Sequence, residues 1–158
     1  MHPKFPFAVC LALAVAGSAC WLEPKEDRPG FGISGELTTE AVADWSFTDD
    51  IEEIAIETRP WYRLPHSVTI WCVSIDGELY VAADYPDYPE ESHWVSTVKR
   101  DPNVRLRIAG KIYERRLEFI TDPEKMDSID RAFGRKYHYD VDEDPEMVTA
   151  YWRVVDRS

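Results

Sequence analysis

The stretch 67–84, SVTIWCVSIDGELYVAAD, constrains the fold more than any other part of the chain. Two runs rich in β-branched and aromatic residues flank Asp76-Gly77, and glycine tolerates the positive φ of a tight hairpin turn. In the first run, both alternating phases are largely apolar. A strand that is apolar on both faces is covered on both faces. The sequence therefore predicts a hairpin at the centre of a small β-barrel.

The rest of the pattern predicts a mainly β chain with flanking helices. Alternating residues from Ile54 to Arg59, followed by Pro60, indicate the first strand. A short helix is expected to start at Thr48, a second helix after Ser92, and a third after an Asp122-Pro123 cap. The remaining strands are predicted over 104–109, 111–120 and 147–155. Short antiparallel strands joined by tight turns favour a barrel over a parallel sheet.

Composition and charge limit the classes of function. The 158 residues are 44% hydrophobic and 13% aromatic, which is enough for one packed domain. The formal net charge is −12. Nucleic acid and anionic lipid both attract basic surfaces, so neither is expected as the main partner.

The first residues are typical of an export signal. Lys4 precedes a short apolar run, 7–16, which is too short to span a bilayer comfortably. The sequence Gly17-Ser18-Ala19-Cys20 resembles the end of a bacterial lipoprotein signal, in which Cys20 becomes lipidated. A cleaved secretory signal and an uncleaved anchor are the alternatives. We expect a signal peptide at 1–19, a linker at 20–46 and the barrel domain at 47–158. The predicted location is the bacterial cell envelope, membrane-anchored and facing the periplasm, or else secreted.

Neither a disulfide nor a metal site is expected. Removal of Cys10 and lipidation of Cys20 would leave Cys72 alone within a predicted strand, where packing is its expected role. An acidic run at 140–146 lacks the glycine and the final glutamate of a calcium-binding EF-hand loop. It is expected to be a solvated loop.

Two groups of cations are candidates for anion binding. The loop 59–66, RPWYRLPH, concentrates Arg59, Arg63 and His66, which could clamp an acidic ligand or pair with acids such as Glu57. The second group could bind an anion or balance acids on a neighbouring strand, here Glu114 and Glu118. Its members are Lys99, Arg100, Arg105 and Arg107.

The order of motifs from residue 71 onward resembles the FMN-binding split barrel. These motifs are Trp71 to Val73, Gly77, Tyr80-Val81, Trp94, Asp101-Pro102-Asn103-Val104 and Gly110. The family is the pyridoxamine 5′-phosphate oxidase-like superfamily, including its deazaflavin-dependent nitroreductase branch. The resemblance implies a six-stranded antiparallel barrel that forms homodimers, with FMN or a deazaflavin in a groove at the dimer interface.

The resemblance also implies which residues would face the cofactor, and these lie on the first two strands, their loop and the following helix. They are Arg59, Arg63, His66, Ser67, Thr69, Trp94 and Lys99, with Ala82 and Ala83 at the end of the next strand. Trp94 could stack on the cofactor ring or simply belong to the core. No catalytic residue is identified.

Two departures bear on the cofactor. Relatives often carry Arg-Ser or Thr-Ser at Ala82-Ala83, and different residues at Val95-Ser96, where they help to hold a phosphate. Two classes of function follow. One is a flavin- or deazaflavin-dependent oxidoreductase that reduces a small acceptor such as a quinone or nitro compound. The other is a non-catalytic envelope lipoprotein whose barrel binds a small ligand or a partner protein.

Overall fold

The computed structural model describes residues 23–26, 28–84, 93–140 and 149–157. The signal segment, Cys20, the loop 85–92, most of the acidic run and the first two residues of the last predicted strand lie outside this part. The described residues form seven strands, one 3-10 turn (Ser46–Thr48) and two α-helices. In chain order these are β1 (Glu36–Thr38), β2 (Glu53–Thr58), β3 (His66–Ile75), β4 (Glu78–Asp84), α1 (His93–Arg100), β5 (Asn103–Ile108), β6 (Lys111–Phe119), α2 (Pro123–Tyr137) and β7 (Thr149–Asp156).

Six of the strands close into a barrel. The hydrogen-bonded order is β2, β3, β4, β7, β6 and β5, with β5 returning to β2, and every pairing is antiparallel. The six-stranded antiparallel barrel expected from the sequence is therefore confirmed. The short β1 adds a parallel pairing to the outside of β6, which the sequence pattern did not indicate.

The central hairpin forms as predicted. Ile75 pairs with Glu78, so Asp76 and Gly77 are the two turn residues, with φ values of 52° and 79°. Positive φ at both positions is the signature of a type I′ turn, whose twist matches that of the strands. β3 is also covered on both faces. Its inner phase, with Ile70, lies in the barrel core, and its outer phase, with Val73, packs under α2.

The two helices pack on different parts of the barrel, α1 against its core through Val95 and Val98 and α2 on the outer face of β3. Asp122 accepts a hydrogen bond from the Glu124 amide, Pro123 takes the first position of α2, and the helix ends at His138 in the left-handed region. Ile129 and Phe133 of α2 are buried against the barrel. No helix among the described residues is long and apolar enough to cross a membrane.

The segment before the barrel differs from the expected pattern. The helix predicted from Thr48 onward is wrong, because the only helical turn there comes earlier and is held by Thr48 itself, whose hydroxyl donates to the Trp45 carbonyl (2.8 Å). Part of the predicted linker also packs on the barrel. Ile33 is buried with Ala55 and Ile112 on the outer face of the sheet.

Candidate functional site

A groove opens where β3 and β4 separate. Their ladder runs from the Cys72–Val81 pair to the Ile75–Glu78 pair. Beyond Val81, β4 continues along β7, whereas residues 66–71 of β3 remain paired to β2. The space between is an open groove of about 530 Å³. It is lined by Glu26, Arg28, Pro29, Glu53, Val68, Thr69, Ile70, Trp71, Ala82 and Trp94.

One wall of the groove is apolar and belongs to the core. Trp94, only 5% exposed, packs against Trp152 with ring centroids 5.1 Å apart. Ile70 of β3 belongs to the same cluster, whereas Ala82 of β4, which also lines the groove, packs with the cluster under α2. Trp94 is therefore a core aromatic that also reaches the groove, and its stacking on a cofactor ring stays a prediction.

A second aromatic forms the opposite part of the groove. Trp71 is 43% exposed and stacks on Tyr137 of α2, with centroids 4.3 Å apart and planes within 6°. The Tyr137 hydroxyl donates to the Glu52 carbonyl (2.7 Å) and accepts from the Cys72 amide (3.0 Å). Burial raises the pKa of Tyr137, so the hydroxyl stays protonated and keeps this bridge at physiological pH. Trp71 is thus held by the helix that packs on the outer face of β3.

The third wall is a segment that precedes the barrel, residues 23–26 and 28–30, called here the strap. Gly30 and Ser67 exchange two backbone hydrogen bonds (2.8 and 2.9 Å), and Thr69 Oγ1 donates to the Glu26 carbonyl (2.7 Å). Glu23 forms an ion pair with Arg107 on β5 (2.5 Å). The strap therefore lies along the half of β3 that β4 has left.

An ion pair beside the strap connects β2, β5 and the segment that follows the strap. Glu57 is 3% exposed and accepts from Arg105 Nη1 through both carboxylate oxygens (3.1 Å each) and from the Ile33 amide (3.0 Å). Arg107 likewise pairs with Glu23. Arg105 and Arg107 were expected to pair with Glu114 and Glu118 if they did not bind an anion. They pair instead with Glu57 on β2 and Glu23 in the strap. Glu114 and Glu118 pair with Arg157 and Arg153.

The structure brings together only part of the predicted site. Thr69 and Trp94 line the groove, as does Ala82. Ser67 is fully buried beneath the strap, and its hydroxyl has no hydrogen-bond partner in the described part of the chain. His66 is half-buried at the start of β3, opposite Thr58.

The predicted cations lie elsewhere. Arg59, Arg63 and Lys99 are exposed and none is among the residues that line the groove. Trp71 and the strap were not predicted as site residues. An outward-facing tryptophan on a strand was a usable signal for Trp71, whereas the strap depends on contacts between distant parts of the chain.

The groove combines an apolar wall with a rim of mixed charge. Its described lining carries one cationic side chain, Arg28, and two carboxylates, Glu26 and Glu53. Cys72 does not contribute a nucleophile, because burial raises the pKa of its thiol to about 11 although Lys136 Nζ lies 3.9 Å from the sulfur. No cluster of metal-ligating side chains occurs among the described residues.

Several solved structures share this fold at low sequence identity. A conserved hypothetical protein from Mycobacterium tuberculosis, Rv2991, has a TM-score of 0.58 at 18% identity, covering 85% of this chain and 87% of that chain. The heme storage protein HutZ from Vibrio cholerae has a TM-score of 0.55 at 9% identity (71% and 86% covered). An F420-H2 dependent reductase has a TM-score of 0.51 at 16% identity (73% and 98% covered). At these identities the likeness establishes the split-barrel fold and no particular ligand.

Comparison at the level of sequence gives a family. No curated protein matches the chain. A family model described as an uncharacterized protein conserved in bacteria, DUF2255, matches residues 46–155, which is well over half of the chain. The match covers the whole barrel from the 3-10 turn to β7 and begins after the strap. The chain therefore belongs to the DUF2255 family of bacterial proteins.

Proposed function

We propose that the groove binds the ring system of a flavin or deazaflavin and that the chain is an oxidoreductase acting on a small acceptor, such as a quinone or nitro compound. The observation that carries this proposal is the separation of β3 from β4, which opens a space walled by Ile70, Ala82 and Trp94. Likeness in fold to an F420-H2 dependent reductase supports it. The cofactor would supply the hydride, and the residues of this chain would bind and orient its ring.

The groove suits the ring better than it suits a phosphate. A volume of about 530 Å³ is within the usual range for small-molecule pockets, and the apolar wall can pack against a planar face. A phosphate, in contrast, needs converging charge-assisted donors. The described lining provides Arg28 beside the carboxylates of Glu26 and Glu53, so most of the binding free energy would come from burial of the ring.

A homodimer is part of the proposal. The groove is open on one side, and the resemblance to split barrels implies a second subunit on that side. The expected mass from size-exclusion chromatography with light scattering is twice that of the 18.3 kDa chain. If the protein is strictly monomeric and still binds the cofactor, the proposed homodimer is wrong and the proposed binding groove stands.

Cofactor binding is the direct test. The full chain is titrated with FMN and with a reduced deazaflavin while tryptophan fluorescence is recorded. We expect a Kd below about 100 μM, which corresponds to roughly 5–6 kcal/mol. Ala82→Phe should fill the groove and abolish binding, whereas Ala41→Phe, at an exposed position away from the groove, should not. Absence of binding by the wild-type chain, or equal binding by the two variants, would rule out this site.

A second candidate is favoured by the position of the cations. Because Arg59, Arg63 and Lys99 do not line the groove, the chain could instead be a non-catalytic envelope protein that holds a small ligand or a partner. In this proposal Cys20 carries a lipid and the barrel faces the periplasm. Radiolabelled palmitate should be incorporated into the wild type and not into Cys20→Ala. Turnover of a quinone or nitro compound with bound cofactor would exclude this second candidate.

A further inference from the structure

The loop between β2 and β3 presents large apolar side chains to solvent. Trp61 is 79% exposed, and Tyr62 and Leu64 beside it are also exposed. The loop is held in shape, because the Arg63 amide donates to the Pro60 carbonyl (2.9 Å) and Arg63 adopts a φ of 62°. Trp61 and Tyr62 contact each other edge to face at 5.6 Å. A turn of this kind projects the aromatic rings away from the barrel and keeps them there.

The same place concentrates positive charge. Arg59 and Arg63 belong to the loop, and Arg100 at the end of α1 donates to the Arg59 carbonyl (3.4 Å). Within the described part of the chain none of these three guanidinium groups forms an ion pair, although the chain has 30 acidic residues. Arg105 and Arg107, by comparison, are both paired. These three arginines therefore form a local basic group, in a chain with a net charge of −12, at an end of the barrel that also carries Asp84 and Asp101.

The strap extends the apolar part of this surface. Gly30 is bridged to Ser67 at the start of β3, which places the next residue, Phe31, beside the base of the loop. Phe31 is also largely exposed. The combined surface, called here the Trp61 patch, consists of Phe31, Arg59, Trp61, Tyr62, Arg63, Leu64 and Arg100.

We propose that the Trp61 patch docks on the surface of a bilayer that contains anionic phospholipids. Tryptophan and tyrosine prefer the interface between headgroups and acyl chains, and nearby arginines are attracted by anionic headgroups. A second copy of the chain fits less well, because a two-fold contact through this patch would bring the arginines of the two copies together with no acidic side chain of the patch to neutralise them. The remaining surface carries net negative charge and repels an anionic bilayer. Salt screens this repulsion as well as the attraction of the arginines, so the affinity for vesicles should depend on ionic strength.

The test measures binding of the full chain to vesicles of phosphatidylcholine alone and of phosphatidylcholine with phosphatidylglycerol. We expect binding to the anionic vesicles to be stronger, and to fall at least about tenfold in Trp61→Ser and in the double variant Arg59→Glu/Arg63→Glu. Phe47→Ser and Arg135→Glu are matched controls. Phe47 lies next to Trp45, which bonds to Gly77 at the opposite end of β3, and Arg135 is exposed on α2. Both controls should bind like the wild type.

A second measurement separates the patch from the apolar residues 7–16, which could bind vesicles by themselves. Quenching by brominated lipids is recorded for the wild type and for Trp61→Ser at vesicle concentrations that bind both proteins fully, so that the difference reports Trp61 alone. We expect Trp61 to be quenched in anionic vesicles. An unquenched Trp61, binding that ignores the loop variants, or loss of a dimer in Trp61→Ser without any lipid effect would each overturn the proposal, the last by identifying the patch as a subunit contact.

Discussion

Thr69 Oγ1 donates a 2.7 Å hydrogen bond to the carbonyl oxygen of Glu26, a residue that precedes it by 43 positions. This bond fastens the strap across the part of β3 that β4 has left. Because Thr69 and Glu26 both line the groove, the contact that holds the strap is also part of the candidate binding site.

Thr69→Val is expected to loosen the strap. The substitution removes the hydroxyl while keeping the branched shape of the side chain, so global stability should fall by only about 1 kcal/mol. Amide hydrogen exchange at Arg28 and Gly30 should become faster, and any groove ligand should associate faster. Thr121→Val, at an exposed position before α2, is the control. Unchanged exchange in the strap would contradict its attachment through Thr69.

Glu57→Ala is expected to be among the most destabilising single changes on the outer face of the sheet. It leaves the Arg105 guanidinium and the Ile33 amide without their acceptor, at an expected cost of about 3 kcal/mol. The estimate is at the low end for buried pairs because Arg105 remains partly exposed. Urea unfolding measures the change. Asp127→Ala, which breaks the exposed pair with Arg131, should cost less than about 0.5 kcal/mol.

The thiol of Cys72 should make stability fall in alkaline solution. Its pKa is raised by burial from 9.0 to about 11, so the folded state keeps a proton that the unfolded state releases. The stabilisation is complete below pH 9 and is lost as the pH rises through about 11. Cys72→Ala should remove this part of the slope. Peptide mapping should also find Cys72 unlabelled by iodoacetamide at pH 8 until the chain unfolds. Labelling of folded protein would contradict the burial.

Substitution of Gly77 and Gly110 by alanine separates the cost of backbone strain from the cost of a steric contact. Gly77 and Gly110 both have a φ of 79°, but a Cβ at Gly77 would lie 3.3 Å from Asp44 Oδ1, whereas one at Gly110 would meet nothing within 4 Å. Gly110→Ala should therefore cost about 1–2 kcal/mol for the left-handed backbone alone. Gly77→Ala should cost more. Thermal unfolding measures both, and Gly32→Ala, without a positive φ, is the control. Equal losses at Gly77 and Gly110 would show that the Asp44 contact is unimportant.

The features that were predictable from the sequence are those coded over a few neighbouring residues. Asp76-Gly77 specifies its own turn, and Asp122-Pro123 begins α2 whatever lies around it. The two-sided apolar pattern of β3 correctly indicated cover on both faces. Such signals depend on local backbone preference and periodicity, and the tertiary structure does not alter them here.

The features that were missed depend on pairing between distant segments. The β1–β6 ladder pairs Leu37 with Ile112. The three residues of β1 are too few to predict a parallel partner so far along the chain. Arg59 and Arg63 were assigned to the site by resemblance. The structure places both on an exposed loop outside the groove lining, and their role in binding stays a prediction. The groove exists because the β3–β4 ladder ends at the Cys72–Val81 pair. The alternation of apolar residues predicts a strand but not the residue at which its pairing ends.

The place where β4 leaves β3 has a consequence for anyone who isolates the family domain. A protein cut to residues 46–155 would lack the strap, and Ser67 would lose the two backbone hydrogen bonds that it exchanges with Gly30. An unpaired strand edge can pair with another chain, so the shortened protein is expected to aggregate more readily than the full chain. The residues that cover this strand edge therefore lie outside the matched family region.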